Sequence, residues 1–204
     1  GLNEKVIEPD TEFIDLPKNI TCAGRPIREY DNEIPSNLTA EQILIRSGNI
    51  GSLRIAQKVG IEKFKSFLES IGVLNKINFD IEEVGQPISF KWGKCKLATS
   101  SFGHGITTTP LQLAKGYSIL SNGGYNINPT VIKKNLKKKE EQNKILNEGV
   151  SEKINLILRK IVSTKEGTAN FANIDGYEVG GKTGTAQKSI NGVYTKNKIN
   201  AFVA

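Results

Sequence analysis

The order of helical and strand-forming segments is the feature that most constrains the fold of this chain. Apolar residues recur at helical spacing through residues 40–71 and 151–163, whereas residues 182–204 are β-prone and contain the hairpin dipeptide Asn191-Gly192. The chain has 204 residues, of which 37% are hydrophobic, so it can form the core of one domain or a large part of one. Helices followed by a terminal hairpin predict an α/β fold of the α+β type, with helices flanking an antiparallel sheet.

Two of the predicted helices carry clear start signals. Thr39 and Gln42 form a capping box before the helical segment AEQILIR at 40–46. The segment TPLQ at 109–112 repeats this signal with proline at the first helical position, and the Asn-Gly-Gly at 122–124 ends that helix. Two further helices are predicted to place one apolar face on the core, with Ile61, Phe64, Leu68 and Ile71 in one and Ile154, Ile157, Leu158 and Ile161 in the other.

The N-terminal segment, residues 12–37, predicts irregular strands and turns, because prolines and a glycine interrupt its short apolar runs. We expect a turn at Ala23-Gly24-Arg25-Pro26.

The two cysteines, Cys22 and Cys95, lack the CxxC spacing of a metal site and are compatible with buried thiols or with a bridge. His104 is the only histidine, so we expect no zinc site and no metal cofactor.

The net charge of +7 is compatible with anionic partners such as nucleic acid, a membrane surface or an envelope polymer. Much of the excess lies in KKNLKKKEEQNK at residues 133–144, where Glu140 and Glu141 follow the lysines and no aromatic side chain is available for base stacking. This pattern is typical of a solvated linker. We therefore expect no nucleic-acid partner.

The segment GYEVGGKTGTAQK at residues 176–188 allows two interpretations. From Gly176 to Thr183 it matches the phosphate-loop pattern GxxxxGK[ST], and from Lys182 it contains the Lys-Thr-Gly run of acyl-transfer enzymes. A phosphate loop requires a buried strand before its first glycine and a helix from its lysine. The upstream sequence is polar and the downstream sequence is β-prone, so the sequence favours a strand from Lys182.

In such a strand, Lys182 and Gly184 lie on one face and Thr183 and Thr185 on the other. An edge strand offers free backbone amides to an incoming peptide, and a glycine lets that peptide approach closely. The lysine adds positive charge and the threonines add hydroxyl groups. This combination suits a substrate with a terminal carboxylate.

Ser47-Gly48-Asn49 lies at the predicted junction between two helices and matches the Ser-x-Asn pattern that accompanies Lys-Thr-Gly. Together with RSGNIGS, the segments LATSSFGHGITTTPLQLAKGYSILSNGG and GYEVGGKTGTAQK resemble the transpeptidase domain of class B penicillin-binding proteins over nearly the whole chain. The SFGHGITTTPLQLA form is most similar to the cell-division, septal subgroup. The resemblance implies that residues 1–204 are part of one penicillin-binding, serine β-lactamase-like transpeptidase domain, truncated at both ends.

The resemblance implies a peptidoglycan D,D-transpeptidase, in which a D-alanyl-D-alanine stem peptide acylates a serine and an amine from a neighbouring stem takes the acyl group. It implies no cofactor. Expected partners are peptidoglycan stem peptides, β-lactam antibiotics and membrane proteins of the division machinery. The family pattern also implies a membrane anchor upstream and a catalytic domain on the periplasmic side of the bacterial inner membrane.

For the site, the resemblance implies catalytic roles for Ser47, Asn49 and Lys182, and a substrate-binding strand formed by Thr183, Gly184 and Thr185. Ser47 would relay a proton, Asn49 would hold the substrate's peptide group, and Lys182 would supply positive potential. The Thr185 N–H would form half of an oxyanion hole. His104 is expected near the site without a catalytic role.

One departure from the family pattern affects activity. No serine in the chain is followed three residues later by lysine, so the nucleophile motif Ser-x-x-Lys is expected upstream of Gly1, in a longer parent protein. The chain alone is therefore predicted to be inactive. A non-catalytic penicillin-recognising sensor of the same fold remains an alternative, as does, on a different fold, a phosphate-loop protein binding nucleotide through Gly176 to Thr183.

Overall fold

The computed structural model of the chain describes residues 1–82, 84–133, 143–190 and 193–204. Its N-terminal part contains two small antiparallel sheets. β1 (Glu12–Phe13) pairs with β4 (Leu38–Thr39), and β2 (Asn19–Cys22) pairs with β3 (Arg25–Arg28). These strands confirm the predicted strand-and-turn character of the segment.

The turn between β2 and β3 is shorter than predicted. Only Ala23 and Gly24 form it, both with positive φ (49° and 75°), which is the backbone conformation that a two-residue hairpin loop requires. Arg25 and Pro26 already belong to β3. Proline is tolerated there because it lies next to the turn, on a strand that has one partner among the described residues.

Helices alternate with irregular segments between the N-terminal sheets and the terminal hairpin. Both predicted capping boxes are present, with Thr39 and Thr109 each accepting a hydrogen bond from the backbone N–H three residues later. The helices are α1 (Ala40–Ile45), α2 (Asn49–Val59), α3 (Ile61–Ser70), α4 (Lys94–Ser100), α5 (Pro110–Ser121) and α6 (Val150–Ser163), and a 3₁₀ turn spans Asn170–Ala172.

Two helices differ from the sequence prediction. α4 was not predicted, because it has only seven residues and its N-cap, Gly93, provides no side-chain acceptor. α3 was expected to bury a full face, but none of its residues is fully buried, and only Ile71, just beyond its end, belongs to the core. The apolar pattern of α3 therefore marks a half-buried helix.

Among the described residues, buried side chains form three clusters. The first joins the N-terminal sheets to α1, α2 and α4, the second surrounds α6, and the third lies between α5 and the start of α6. α1 connects the first two, because Ile43 packs in one and Ile45 in the other. The predicted face of α6 is confirmed, with Ile157, Leu158 and Ile161 buried.

The chain ends in an antiparallel hairpin that packs against α6. β5 (Lys182–Ile190) pairs with β6 (Val193–Val203), with a register shift between Gln187 and Ser189. The Gly181 N–H donates to the Leu158 carbonyl at 3.1 Å and fixes the start of β5 on the helix. The predicted turn residues Asn191-Gly192 and most of the predicted linker at 133–144 lie outside the described residues. The helices and this hairpin give the expected α+β arrangement.

A disulfide joins Cys22 at the end of β2 to Cys95 in α4, with 5.6 Å between their Cα atoms. This settles the two alternatives left open by the sequence in favour of a bridge. It fixes the β2–β3 hairpin to the helical part of the chain.

In the described ranges no helix combines the length and apolar character that a bilayer crossing requires.

Breaking this disulfide should destabilise the fold. The bridge closes a loop between residues 73 apart in sequence, and the chain-entropy model assigns such a loop roughly 4 kcal/mol of stabilisation. The double substitution of Cys22 and Cys95 by alanine in the full-length protein should lower the free energy of unfolding by about 2–4 kcal/mol, measured by urea denaturation. Rapid alkylation of both cysteines in the unfolded, unreduced protein would contradict the bridge.

Candidate active site

The Ser47 turn, residues Ser47-Gly48-Asn49, is built on the closing motif of α1. The Gly48 N–H donates to the Ile43 carbonyl at 2.9 Å and the Ser47 N–H to the Leu44 carbonyl at 3.2 Å. This is the Schellman arrangement, in which the residue after the C-cap has a left-handed backbone and is usually glycine. Here that residue is Ser47, with φ of 58°. A serine at this position costs stability relative to glycine.

The N-terminus of α2 holds the third residue of the turn. Asn49 is the first residue of the helix, and its side-chain amide donates to the Arg28 carbonyl at 2.8 Å. Its backbone N–H and that of Ile50 donate to the two carboxylate oxygens of Glu29, at 2.7 and 2.9 Å. The contact with Arg28 orients the Asn49 amide, because a backbone carbonyl can accept only from the side-chain nitrogen of Asn49. The side-chain oxygen of Asn49 is therefore left to accept from a ligand.

Lys182 connects the Ser47 turn to β5. Its Nζ donates to Ser47 Oγ at 2.7 Å, and also to the carbonyl of Thr183 at 2.9 Å. The two residues are 135 positions apart in sequence, so tertiary packing brings them together, with α6 in contact with both α1 and β5. Ser47, Asn49 and Lys182, the three predicted catalytic residues, therefore share one site.

Burial of the Lys182 ammonium lowers its pKa from 10.5 to about 8. A lysine with such a pKa is largely protonated at neutral pH but exchanges its proton readily. Through its hydrogen bond to Ser47 it can hold positive charge near a bound anion, or move a proton to or from the serine hydroxyl.

The segment KEGTA at residues 165–169 forms another wall of the site. Arg46 pairs with Glu166 at 2.8 Å, next to the Ser47 turn, and Thr168 accepts a hydrogen bond from the Thr183 hydroxyl at 2.9 Å. Gly167 packs so tightly on α6 that an added Cβ would lie 1.9 Å from the Ile161 carbonyl oxygen. This segment therefore fixes both the Ser47 turn and the start of β5.

The predicted substrate-binding residues of β5 have different environments. Thr183 is half-buried and its hydroxyl is used by Thr168, whereas Gly184 and Thr185 are exposed. Lys182 and Thr183 reach different partners, as strand alternation predicts. Within the described ranges β5 pairs only with β6, so its other edge offers backbone groups to an extended peptide.

The phosphate-loop alternative is wrong. Residues 173–181 form no strand, and Lys182 begins a strand instead of a helix. No helix N-terminus therefore faces the glycines of 176–181, as a phosphate cradle would require. His104 packs on the ring of Phe102 at 5.1 Å, and burial lowers its pKa against the smaller opposing effect of a hydrogen bond from the imidazole to the Phe102 backbone. Its non-catalytic role stays a prediction.

Two residues of the site were missed in the sequence. Thr168 lies in a polar segment before β5, and no local pattern in the sequence predicted its contact. Glu29 precedes the turn by about 20 residues and carries no motif. The sequence did contain one signal for Glu29. Gly48, before α2, has no side chain to cap the helix, and the first turn of α2 contains no acidic residue, so an acceptor from elsewhere in the chain is expected.

Comparison with known proteins shows the family to which the chain belongs. The penicillin binding protein transpeptidase domain family matches residues 1–204, and the chain belongs to this family. It is 32% identical over 169 residues to stage V sporulation protein D of Bacillus subtilis, covering 76% of this chain and 26% of that protein. It is 29% identical over 190 residues to a probable peptidoglycan D,D-transpeptidase FtsI of Caulobacter vibrioides, covering 92% of this chain and 32% of that protein.

Solved structures show the same fold. The transpeptidase domain of penicillin-binding protein 3 from Burkholderia pseudomallei superposes with a TM-score of 0.87 at 24% identity, covering 98% of this chain and 61% of that one. Penicillin-binding protein 3 of Mycobacterium tuberculosis complexed with ampicillin gives a TM-score of 0.86 at 21% identity, covering 98% and 48%. The chain thus spans about a third or less of the two curated relatives and about half to two thirds of these structures.

Ser47→Gly should be more stable than Ser47→Ala, because both lose the hydroxyl that accepts from Lys182 but only glycine adopts the left-handed conformation without the steric cost of a Cβ. We expect the free energy of unfolding to differ by about 1 kcal/mol, measured by urea denaturation of the full-length protein. Ser47→Ala is the matched control, since it removes the same hydroxyl but keeps the Cβ. Equal stabilities for the two variants would contradict the strain assigned to Ser47.

Lys182 should titrate near pH 8 in the folded protein and near 10.5 after unfolding. Between these values the unfolded chain binds more protons, so the Lys182 contribution makes stability rise with pH; below pH 8 the burial penalty is fully present. The titration can be followed by NMR of lysine labelled with ¹³C at Cε. The resonance that disappears in Lys182→Met identifies the group, and a midpoint near 10.5 in the folded protein would contradict the effect of burial.

Proposed function

We propose that the full-length protein containing this chain is a serine-type peptidoglycan D,D-transpeptidase of the cell-division, septal type, and that residues 1–204 are part of its transpeptidase domain. The observation that carries the proposal is the Lys182–Ser47 hydrogen bond of 2.7 Å, beside an Asn49 amide held by the Arg28 carbonyl. Ser-x-Asn and Lys-Thr-Gly, far apart in sequence, thus form one site. The names of the relatives support the same activity.

The proposed chemistry is acyl transfer. The serine nucleophile attacks the carbonyl between the two D-alanines, the terminal D-alanine leaves with a proton, and a stem amine then displaces the serine. None of the serines in residues 1–204 begins a Ser-x-x-Lys motif, so the proposal assigns the nucleophile to the remainder of the full-length protein.

The residues of this chain have distinct parts in the proposal. Ser47 and Lys182 form the proton path to the leaving amine, since Lys182 has a pKa of about 8 and contacts the Ser47 hydroxyl. The Asn49 side-chain oxygen accepts from the donor's peptide N–H. The exposed Thr185 binds the terminal carboxylate and its N–H forms half of the oxyanion hole, while Gly184 leaves room for the peptide. Thr183 contributes through Thr168, which orders the strand.

The proposed partners and location follow from the same chemistry. β-Lactams imitate the D-alanyl-D-alanine donor and acylate the same serine, and the structural relative from Mycobacterium tuberculosis was solved in complex with ampicillin. The Cys22–Cys95 disulfide favours an oxidising compartment, as expected for a catalytic domain on the periplasmic side of the inner membrane. Peptidoglycan stem peptides and membrane proteins of the division machinery are the proposed natural partners.

Covalent labelling by a fluorescent penicillin tests the function. The full-length protein should carry the label through denaturing electrophoresis, and Lys182→Ala should lower the second-order labelling rate by about 100-fold, because it removes the charge and donor beside Ser47. Lys188→Ala is the matched control, since it removes an exposed lysine from the same strand. The polypeptide 1–204 alone should not be labelled.

Two outcomes would count against the proposal. Absence of label on the folded full-length protein would overturn acyl transfer, and equal rates for Lys182→Ala and the parent would overturn the role of Lys182. A non-catalytic sensor of the same fold would be labelled by penicillin but would release no D-alanine from a stem pentapeptide. Measuring D-alanine release therefore separates the enzyme from the sensor.

A further inference from the structure

The carboxylate of Glu29 makes one contact with the Ser47 turn and one with the residue that follows it. Its Oε2 accepts from the Asn49 N–H at 2.7 Å and its Oε1 from the Ile50 N–H at 2.9 Å. Glu29 therefore supplies an acceptor to each of the first two residues of α2, directly after Ser47 and Gly48.

The helix depends on this external group. α2 has 11 residues, its N-cap is Gly48 without a side-chain acceptor, and its first turn contains no acidic residue. Its first N–H groups would otherwise lack an acceptor within the helix. A carboxylate at a helix N-terminus also interacts favourably with the helix dipole, and hydrogen bonds to a charged acceptor are stronger than neutral ones.

Glu29 is itself held by the N-terminal sheets. Its backbone N–H donates to the Lys18 carbonyl at 3.1 Å, which extends the ladder of the β2–β3 hairpin beyond Arg28. The neighbouring carbonyl, that of Arg28, accepts from the Asn49 side chain. Two successive residues at the end of β3 thus fix the backbone and the side chain of the same asparagine, while the Cys22–Cys95 bridge ties the hairpin to α4.

We infer that Glu29 is a positioning residue for the acyl-transfer reaction, an assignment that rests on the function proposed above. By fixing the backbone N–H groups of Asn49 and Ile50, it keeps the preceding Ser47 within reach of Lys182 and the Asn49 amide toward the donor peptide. Glu29 touches neither the substrate nor the reacting atoms. Its effect is transmitted through the main chain of the turn, because displacement by an ångström is enough to slow a positioned reaction.

Glu29→Gln is the most informative substitution, because it preserves shape but places an amide NH₂ opposite one of the two backbone donors. In the full-length protein, saturation kinetics with a fluorescent penicillin should show an acylation rate constant about tenfold lower, with a larger loss for Glu29→Ala. Glu41→Gln is the matched control: it removes another half-buried carboxylate, paired with Lys160 at 2.8 Å on α1 and α6, and should change the rate less than about twofold.

A second measurement separates positioning from general destabilisation. In a Ser47→Ala background, Glu29→Gln should lower the remaining rate less than about threefold, because the Ser47 hydroxyl, one of the two groups that it positions, is already absent. Equal fold-losses in both backgrounds, or an unchanged rate for Glu29→Gln in the parent, would overturn the inference.

Hydrogen exchange provides a readout that does not depend on activity. Amide exchange in the peptide covering residues 47–53 should be about tenfold faster in Glu29→Gln than in the parent and unchanged in Glu41→Gln, because only the former loses an acceptor at the start of α2. Unchanged exchange would overturn the inference whether or not the protein is labelled. Faster exchange in a protein that penicillin does not label would overturn the proposed function while leaving the contact between Glu29 and the turn intact.

Discussion

The hydrogen bond from Lys182 to Ser47 is the contact on which the site depends. It connects a strand at the end of the chain to a helix junction near its beginning, and each side needs its own support. On the strand side, α6 and the KEGTA segment hold β5 through Leu158 and Thr168. On the helix side, the closing motif of α1 and the end of β3 hold Ser47 and Asn49. Much of the surrounding fold therefore serves to keep two side chains 2.7 Å apart.

The site combines features that lower stability. Ser47 has a backbone conformation that favours glycine. The Lys182 ammonium is largely buried, and burial disfavours its positive charge. A core selected only for stability would contain neither feature. Their presence at one contact agrees with the general finding that strained or destabilised groups collect where chemistry is performed. The well-packed α6, with Ile161 and Val162 fully buried, offsets some of that cost.

Local patterns in the sequence predicted much of the fold and part of the site. The structure confirmed the two capping boxes, the buried face of α6 and the strand from Lys182. Each of these features depends on residues within a few positions of each other, so the sequence alone could predict it. α4 was missed because seven residues without a capping side chain give no periodic signal. The contacts of Glu29 and Thr168 could not be predicted, because each joins segments that only tertiary packing brings together.

The disulfide has a consequence for how the site comes apart. Cys22 and Cys95 bracket α1, α2 and α3 in sequence, so Ser47 and Asn49 lie inside a cross-linked ring, whereas Lys182 lies on a segment outside it. The disulfide therefore constrains the part of the site that contains Ser47 and Asn49, whereas tertiary packing holds Lys182 against it. The contact between Lys182 and Ser47 thus depends on the completeness of the tertiary structure.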